Sequence, residues 1–128
     1  MSQQNLVDGL LAQARSVLAG ESAISHHRAA RAACWIARTA LELGVTEILD
    51  ENRRPCADAS MRSKLICLDA VAAAPDPVKI AARAAWAGLS RASHQHAYEL
   101  APTVGEVRAL LSMVSRVIES GRALAAPT

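Results

Sequence analysis

Aromatic side chains are almost missing from this sequence. Only 2% of the 128 residues are aromatic: there is no Phe, and Trp35, Trp86 and Tyr98 are the only aromatic side chains. β-Strands are enriched in aromatic and β-branched residues, whereas this chain contains 28 Ala, the residue with the highest helix propensity. The composition therefore predicts an all-helical protein.

Long apolar runs and paired cysteines are missing as well. No stretch approaches the ~20 apolar residues of a membrane span, and the first residues have neither the basic region nor the apolar run of a signal peptide. Cys34, Cys56 and Cys67 show no close paired spacing, which predicts free thiols rather than a disulfide framework or a zinc site. We therefore expect a cytoplasmic protein with no membrane partner.

The chain also lacks an excess of one charge sign. Its 14 basic and 12 acidic residues give a formal net charge of +2, too small for electrostatics alone to hold the protein on nucleic acid. Twelve of the 14 basic residues are Arg, which grips phosphate through two parallel hydrogen bonds. A local phosphate-binding site is therefore one interpretation of the Arg excess. The other is GC-rich coding, which favours both Arg and Ala.

Hydrophobic periodicity divides residues 1–128, as a single domain, into five helices. The predicted helices cover residues 6–18, 22 or 25 to 44, 58 or 60 to 74, 76 towards 100, and 103 onwards, with a further short turn of helix within 46–52. Thr103 and Glu106 have the spacing of a capping box, and Asp76 followed by Pro77 is a typical helix start. Short connections between these helices predict an antiparallel bundle of four main helices plus a shorter one.

Residues 90–99, late in the predicted fourth helix, form the densest polar cluster of the chain. They include two of the four His, the only Tyr, an Arg and a Glu, between apolar flanks. Helical spacing puts Arg91, His94 and Tyr98 on one face and His96 on an apolar stripe. Because Arg91 and His96 lie about 140° apart on a regular helix, both reach one phosphate only if the helix bends or ends, or if a second subunit brings its own copy.

Residues 91–98 follow the pattern Arg, four residues, His, one residue, Tyr, with Arg91, His96 and Tyr98 at the three defined positions. This pattern resembles the signature of the HEPN domains, in particular that of the HepT-like toxins of toxin–antitoxin pairs. The specific match covers residues 91–98, and the expected helical bundle agrees with the family over most of the chain. One position departs: family members commonly place a polar residue after the Arg, where this chain has Ala92. Ser93 and His94 are candidates for the missing polar contact.

The resemblance implies a metal-independent RNA endonuclease without a cofactor, which works as a homodimer. Arg91 would clamp the scissile phosphate, and His96 would take the proton of the ribose 2′-hydroxyl. In HepT-like relatives a nucleotidyltransferase antitoxin attaches AMP to the motif Tyr, which corresponds to Tyr98. The resemblance gives supporting or regulatory roles to Tyr98, His94, Ser93 and Glu99.

Two other interpretations stay open. The bundle fits a non-catalytic module that binds a nucleotidyltransferase or another protein. The polar cluster also fits a buried hydrogen-bond network that holds a dimer, in which His96 is a core residue. Within the nuclease interpretation, His94, which shares the face of Arg91, is an alternative to His96 as the catalytic imidazole. His94, His96 and Glu99 do not predict a metal centre, because bundle metal sites repeat Glu-x-x-His on facing helices.

Arg28, Arg31, Trp35 and Arg38 lie on one face of the second helix. Such a face can hold RNA by charge and stacking, but we expect a solvated face with Trp35 turned towards the core. We also expect an ion pair between Arg38 and Glu42, one helical turn apart. His26 and His27, in the first turn of the same helix, are expected to be solvated.

Overall fold

The computed structural model describes residues 2–93 and 101–125, with no account of the side chains of residues 27 and 125. These residues form five helices and no strand, which confirms the all-helical prediction. The helices are α1 (Gln3–Leu18), α2 (His26–Glu51), α3 (Met61–Asp69), α4 (Asp76–Ser93) and α5 (Val104–Ala125). Within these ranges, none of the helices combines the length and the apolarity that a membrane crossing requires.

Local capping signals set several of the helix ends. At the start of α5, the Glu106 amide donates to Thr103 Oγ1 at 3.0 Å and the Thr103 amide donates to Glu106 Oε2 at 3.4 Å. The Ser63 amide donates to Ser60 Oγ at the start of α3. After α1, Gly20 takes the left-handed conformation with a φ of 78°, which glycine adopts at little cost. These helix ends are confirmed where the sequence predicted them.

The prediction that the second helix ends at Gly44 is wrong, because this glycine is a packing contact and not a helix terminator. A Cβ atom at Gly44 would lie 2.7 Å from Ile118 Cγ1. In the same way, a Cβ atom at Gly121 would lie 2.4 Å from Ile48 Cγ1. These two reciprocal contacts bring α2 and α5 close together, and α2 continues without a break to Glu51.

The third helix is shorter than predicted, since it ends at Asp69 and not at Ala74. Beyond it, the Val71 amide donates to the Leu68 carbonyl and the Ala74 amide donates to the Val71 carbonyl, so tight three-residue turns replace the helical hydrogen bonds. Val71 and Ala74 are both buried. This stretch therefore turns the chain over the core before α4 begins.

The four long helices alternate in direction around one core. The contacts of Arg15 with Ser115 and of Arg122 with Asp8 show that α1 and α5 are antiparallel. α2 occupies the centre and contacts all four other helices, and α3 lies in the connection between α2 and α4. A bundle of four main helices plus a short one is confirmed. The fourth helix is described as far as Ser93, and its predicted continuation towards residue 100 lies outside the described residues.

Arg122 joins three of these helices through its guanidinium group. Nη1 donates to Asp8 Oδ1 at 2.7 Å, Nη2 donates to the Gln4 carbonyl at 3.2 Å, and Nε lies 3.5 Å from Glu47 Oε1. The Glu47 side chain is only 9% exposed. Arg122 therefore supplies the counter-charge of a buried carboxylate between α1, α2 and α5.

Candidate functional site

The structure describes two of the six residues predicted for the site. Arg91 is exposed and Ser93 is buried, both in the last turn of α4. The other four, His94, His96, Tyr98 and Glu99, lie outside the described residues. The relation between Arg91 and His96 therefore stays a prediction from the sequence.

Arg91 belongs to the solvent-facing stripe of α4. Ile80, Ala84, Ala87 and Arg91 follow one another at intervals of four, three and four residues, so they share one face, and all four are exposed. Ile80 is 67% exposed, unusual for a side chain of its size. We call these four residues the α4 stripe: a mainly apolar surface that ends at a guanidinium group.

Ser93 faces the opposite way, towards α2. Its relative exposure is 9%, and it lies beside the buried Cys34. Burial raises the pKa of the Cys34 thiol, and the Ser93 hydroxyl opposes this shift. Cys34 is consequently an unreactive, protonated thiol at neutral pH, and Ser93 is positioned against the core rather than towards a substrate.

A stack of three side chains fills the boundary between α2 and α4. The Arg38 guanidinium carbon lies 4.5 Å from the ring centroid of Trp86 and 5.4 Å from that of Trp35. Both distances are within the range of cation–π attraction. We call Trp35, Arg38 and Trp86 the tryptophan–arginine stack.

The prediction that Trp35 turns towards the core is wrong. Its side chain is 45% exposed. The core-facing positions next to it on α2 are Ala33, Cys34 and Ala37, each fully buried. Because these small residues let neighbouring helices approach closely, the indole ring lies on the outer face of α2. The exposed positions predicted for Arg28, Arg31 and His26 are confirmed.

The predicted Arg38–Glu42 ion pair is also wrong. Glu42 Oε1 instead pairs with Lys64 Nζ of α3 at 3.6 Å. Arg38 Nε is buried and has no hydrogen-bond partner among the described residues, and the same holds for Ser90 Oγ. Buried polar atoms normally have a partner. Two such atoms therefore lie along the boundary of α2 with the second half of α4.

Positive charge is concentrated around this boundary despite the small net charge of the chain. Residues 22–41 and 77–93 contain six of the 14 Lys and Arg residues and none of the 12 Asp and Glu residues. Arg83 pairs with Asp69, and Lys79 donates to the Asp69 carbonyl. The six residues also include Arg28, Arg31, Arg38 and Arg91. Sequence totals conceal this local excess.

The cysteines are free thiols, as predicted. Burial and the neighbouring Cys67 raise the pKa of Cys56, so the fold brings together two thiols that are eleven residues apart in the sequence. The described residues contain no group of three or more His, Cys, Asp or Glu side chains that could hold a metal ion.

Sequence reasoning missed Trp86 as part of the candidate site, and it gave Ser90, which lies in the 90–99 cluster, no role of its own. Their spacing to Ser93, at intervals of four and three residues, was a signal that they share one helix face. The contact of Trp86 with Arg38 depends on how α2 and α4 are juxtaposed, which no local pattern contains. Comparisons of this chain with protein-family models, with curated proteins and with solved structures find no match.

Proposed function

We propose that this protein is a metal-independent RNA endonuclease of the toxin–antitoxin or phage-defence kind, which acts as a homodimer and uses Arg91 and His96 as its catalytic pair. The observation that supports the proposal is the α4 stripe, which leads along exposed apolar residues to the motif guanidinium. Packing this stripe against a second copy of α4 would bury Ile80, Ala84 and Ala87. If the two copies of α4 pack in parallel, the two copies of the motif also come close together.

The chemistry follows from the two side chains. Arg91 is permanently charged and holds the scissile phosphate through two hydrogen bonds, and it stabilises the negative charge that grows on the phosphoryl oxygens. His96 accepts the proton of the ribose 2′-hydroxyl, whose oxygen forms a bond to phosphorus as the bond from phosphorus to the 5′-oxygen breaks. The leaving oxygen takes up a proton. The products are a 2′,3′-cyclic phosphate and a 5′-hydroxyl, and DNA is not cut.

The departure at Ala92 leaves one polar contact to be supplied by a neighbour. Ser93 is buried against α2, so this part of the proposal assigns the contact to His94. Tyr98 and Glu99 keep the supporting or regulatory roles that the sequence resemblance implies, and Tyr98 is the position for modification by a nucleotidyltransferase antitoxin.

The test of catalysis is cleavage of mixed RNA by the purified protein in EDTA. Arg91→Ala is expected to lower the rate by about 10²–10³-fold, and His96→Ala by about 10²–10⁴-fold, with circular dichroism unchanged for both. If the catalytic Arg and His come from different subunits, mixing the two inactive variants restores activity, because one of the two sites in the mixed dimer is then intact. Absence of cleavage by the unmodified wild-type dimer contradicts the proposal.

The test of the dimer uses a charge on the α4 stripe. Ala84→Glu is expected to convert the dimer to a monomer and to abolish cleavage, because it places a carboxylate in an apolar contact. Ala109→Glu, at an exposed alanine of α5, is the matched control. It is expected to change neither the dimer nor the rate of RNA cleavage. Sedimentation reports the mass. A wild-type monomer, or a dimer that survives Ala84→Glu, argues against this arrangement.

A non-catalytic module that binds a nucleotidyltransferase or another protein is the second candidate, because the apolar α4 stripe also fits a different partner. Co-expression with a candidate nucleotidyltransferase and mass measurement of the Tyr98 peptide separate the two. A mass increase by AMP units together with cleavage by the unmodified protein favours the toxin. Stable binding without cleavage favours the module.

A further inference from the structure

The tryptophan–arginine stack places both tryptophans of the chain at one surface. The Arg38 guanidinium carbon lies within 5.4 Å of both ring centroids, yet Trp35 keeps 45% of its surface exposed. An indole ring that served only the core would be buried, and alanines already fill the core side of α2 at this level. An exposed aromatic ring beside a guanidinium group is an arrangement on which nucleic-acid bases stack.

The polar atoms behind this surface are buried and lack partners among the described residues. Arg38 Nε is a charged donor with no partner among the described residues, and Ser90 Oγ is a hydroxyl in the same state. Glu42, the nearest carboxylate along α2, pairs with Lys64. Because no carboxylate among the described residues pairs with Arg38, its charge adds to the positive potential that attracts phosphate to this surface.

The charges of the first half of α2 extend the surface. Arg28, Arg31, Trp35 and Arg38 follow one another at intervals of three, four and three residues on one face, over a length of about 15 Å. No Asp or Glu occurs between residues 22 and 41. An acidic peptide would match the charge, but the exposed indole favours a ligand with flat aromatic groups and phosphates, which is a nucleic acid with unpaired bases.

We propose that the tryptophan–arginine stack, together with Arg28 and Arg31, is a binding platform for single-stranded RNA. A base stacks on the exposed side of Trp35, while the guanidinium groups of Arg28 and Arg31 contact the neighbouring phosphates. This inference rests on the proposed function and adds its substrate class, unpaired RNA. Duplex RNA does not fit, because its bases are stacked on one another and hidden from an aromatic side chain.

The experiment is equilibrium binding of a short single-stranded 2′-O-methyl oligonucleotide, which lacks the free hydroxyl that cleavage needs. Stacking is expected to quench the tryptophan fluorescence, which comes only from Trp35 and Trp86. Trp35→Ala is expected to weaken binding about tenfold, and Trp35→Phe to retain most of the affinity. Arg28→Ala is expected to reduce the slope of log K against log salt concentration by about 0.7. The control Arg108→Ala, in the groove between α1 and α5, should leave affinity and slope unchanged.

Three results overturn the platform: equal affinity of the wild type and Trp35→Ala, equal affinity for a duplex of the same sequence, or tighter binding of an acidic peptide. Circular dichroism and thermal unfolding confirm that Trp35→Ala is folded. Failure of the nuclease proposal looks different. If binding depends on Trp35 but natural RNA is not cleaved, the nuclease proposal is contradicted and the platform is supported. If RNA is cleaved but binding does not depend on Trp35, the platform is contradicted and the nuclease proposal is supported.

Discussion

Arg122 and Arg38 are two guanidinium groups at helix boundaries, and they are used in opposite ways. Arg122 contacts Asp8, Glu47 and a backbone carbonyl, so all its nitrogens have acceptors. Arg38 lies against two indole rings, and its Nε has no acceptor among the described residues. The first arrangement stabilises the fold by neutralising a buried carboxylate. The second leaves a positive charge at the α2–α4 boundary, where we propose the platform for single-stranded RNA.

The largest expected effect is that of Arg122→Met on stability. The substitution leaves the buried Glu47 carboxylate without its counter-charge, so the free energy of unfolding should fall by about 3 kcal/mol. Urea denaturation measures this value, and Arg116→Met, at an exposed arginine of the same helix, is the control. Binding of the single-stranded oligonucleotide should stay unchanged while the variant is folded. If Arg122→Met loses no more unfolding free energy than Arg116→Met, Arg122 does not stabilise the fold and its contrast with Arg38 disappears.

Arg38→Met is the reciprocal experiment, and its expected effect on stability is smaller. It removes two cation–π contacts but also a buried donor that lacks a partner, so the free energy of unfolding should fall by about 1 kcal/mol or less. Oligonucleotide affinity should fall, which is the opposite pattern to Arg122→Met. Urea denaturation and fluorescence titration on the same preparation compare the two. A stability loss as large as that of Arg122→Met would make Arg38 a structural residue.

The smallest expected effect is a gain of stability in Ser90→Ala. The Ser90 hydroxyl is buried without a partner, so its replacement by a methyl group should raise the free energy of unfolding by up to about 1 kcal/mol. Ser112→Ala is the matched control, because the exposed Ser112 Oγ donates to the Arg108 carbonyl on α5. Any gain of stability in this variant comes only from the higher helix propensity of alanine. Thermal unfolding of both variants gives the difference. If the free energy of unfolding rises no more in Ser90→Ala than in Ser112→Ala, the Ser90 hydroxyl has a hydrogen-bond partner in solution, which contradicts its description as unpaired.

What the sequence predicted well depends on neighbours along the chain. The capping box of Thr103 and Glu106 acts within one helical turn, so its spacing was enough to place the start of α5. The five-helix bundle follows from the periodicity of the apolar residues. Gly44 has the same local appearance as a helix-ending glycine, and only its contact with Ile118, far along the chain, shows that it is a packing position.

The candidate site depended much more on contacts between distant segments. The Arg38–Glu42 pair follows the local spacing rule, but Lys64 from another helix takes the carboxylate. Trp35 was predicted to turn towards the core, but Ala33, Cys34 and Ala37 occupy the core-facing positions next to it and the indole ring is 45% exposed. The pairing of Arg38 with Trp86 requires the packing of α2 against α4, so neither residue alone could indicate the stack.

The two glycine–isoleucine contacts also determine how the long helices align. A Cβ atom at Gly44 would overlap Ile118, and a Cβ atom at Gly121 would overlap Ile48. If α5 slid along α2 by a turn, each isoleucine would face a residue larger than glycine. Steric overlap therefore disfavours slipped alignments, which the many small side chains of this alanine-rich sequence would otherwise tolerate.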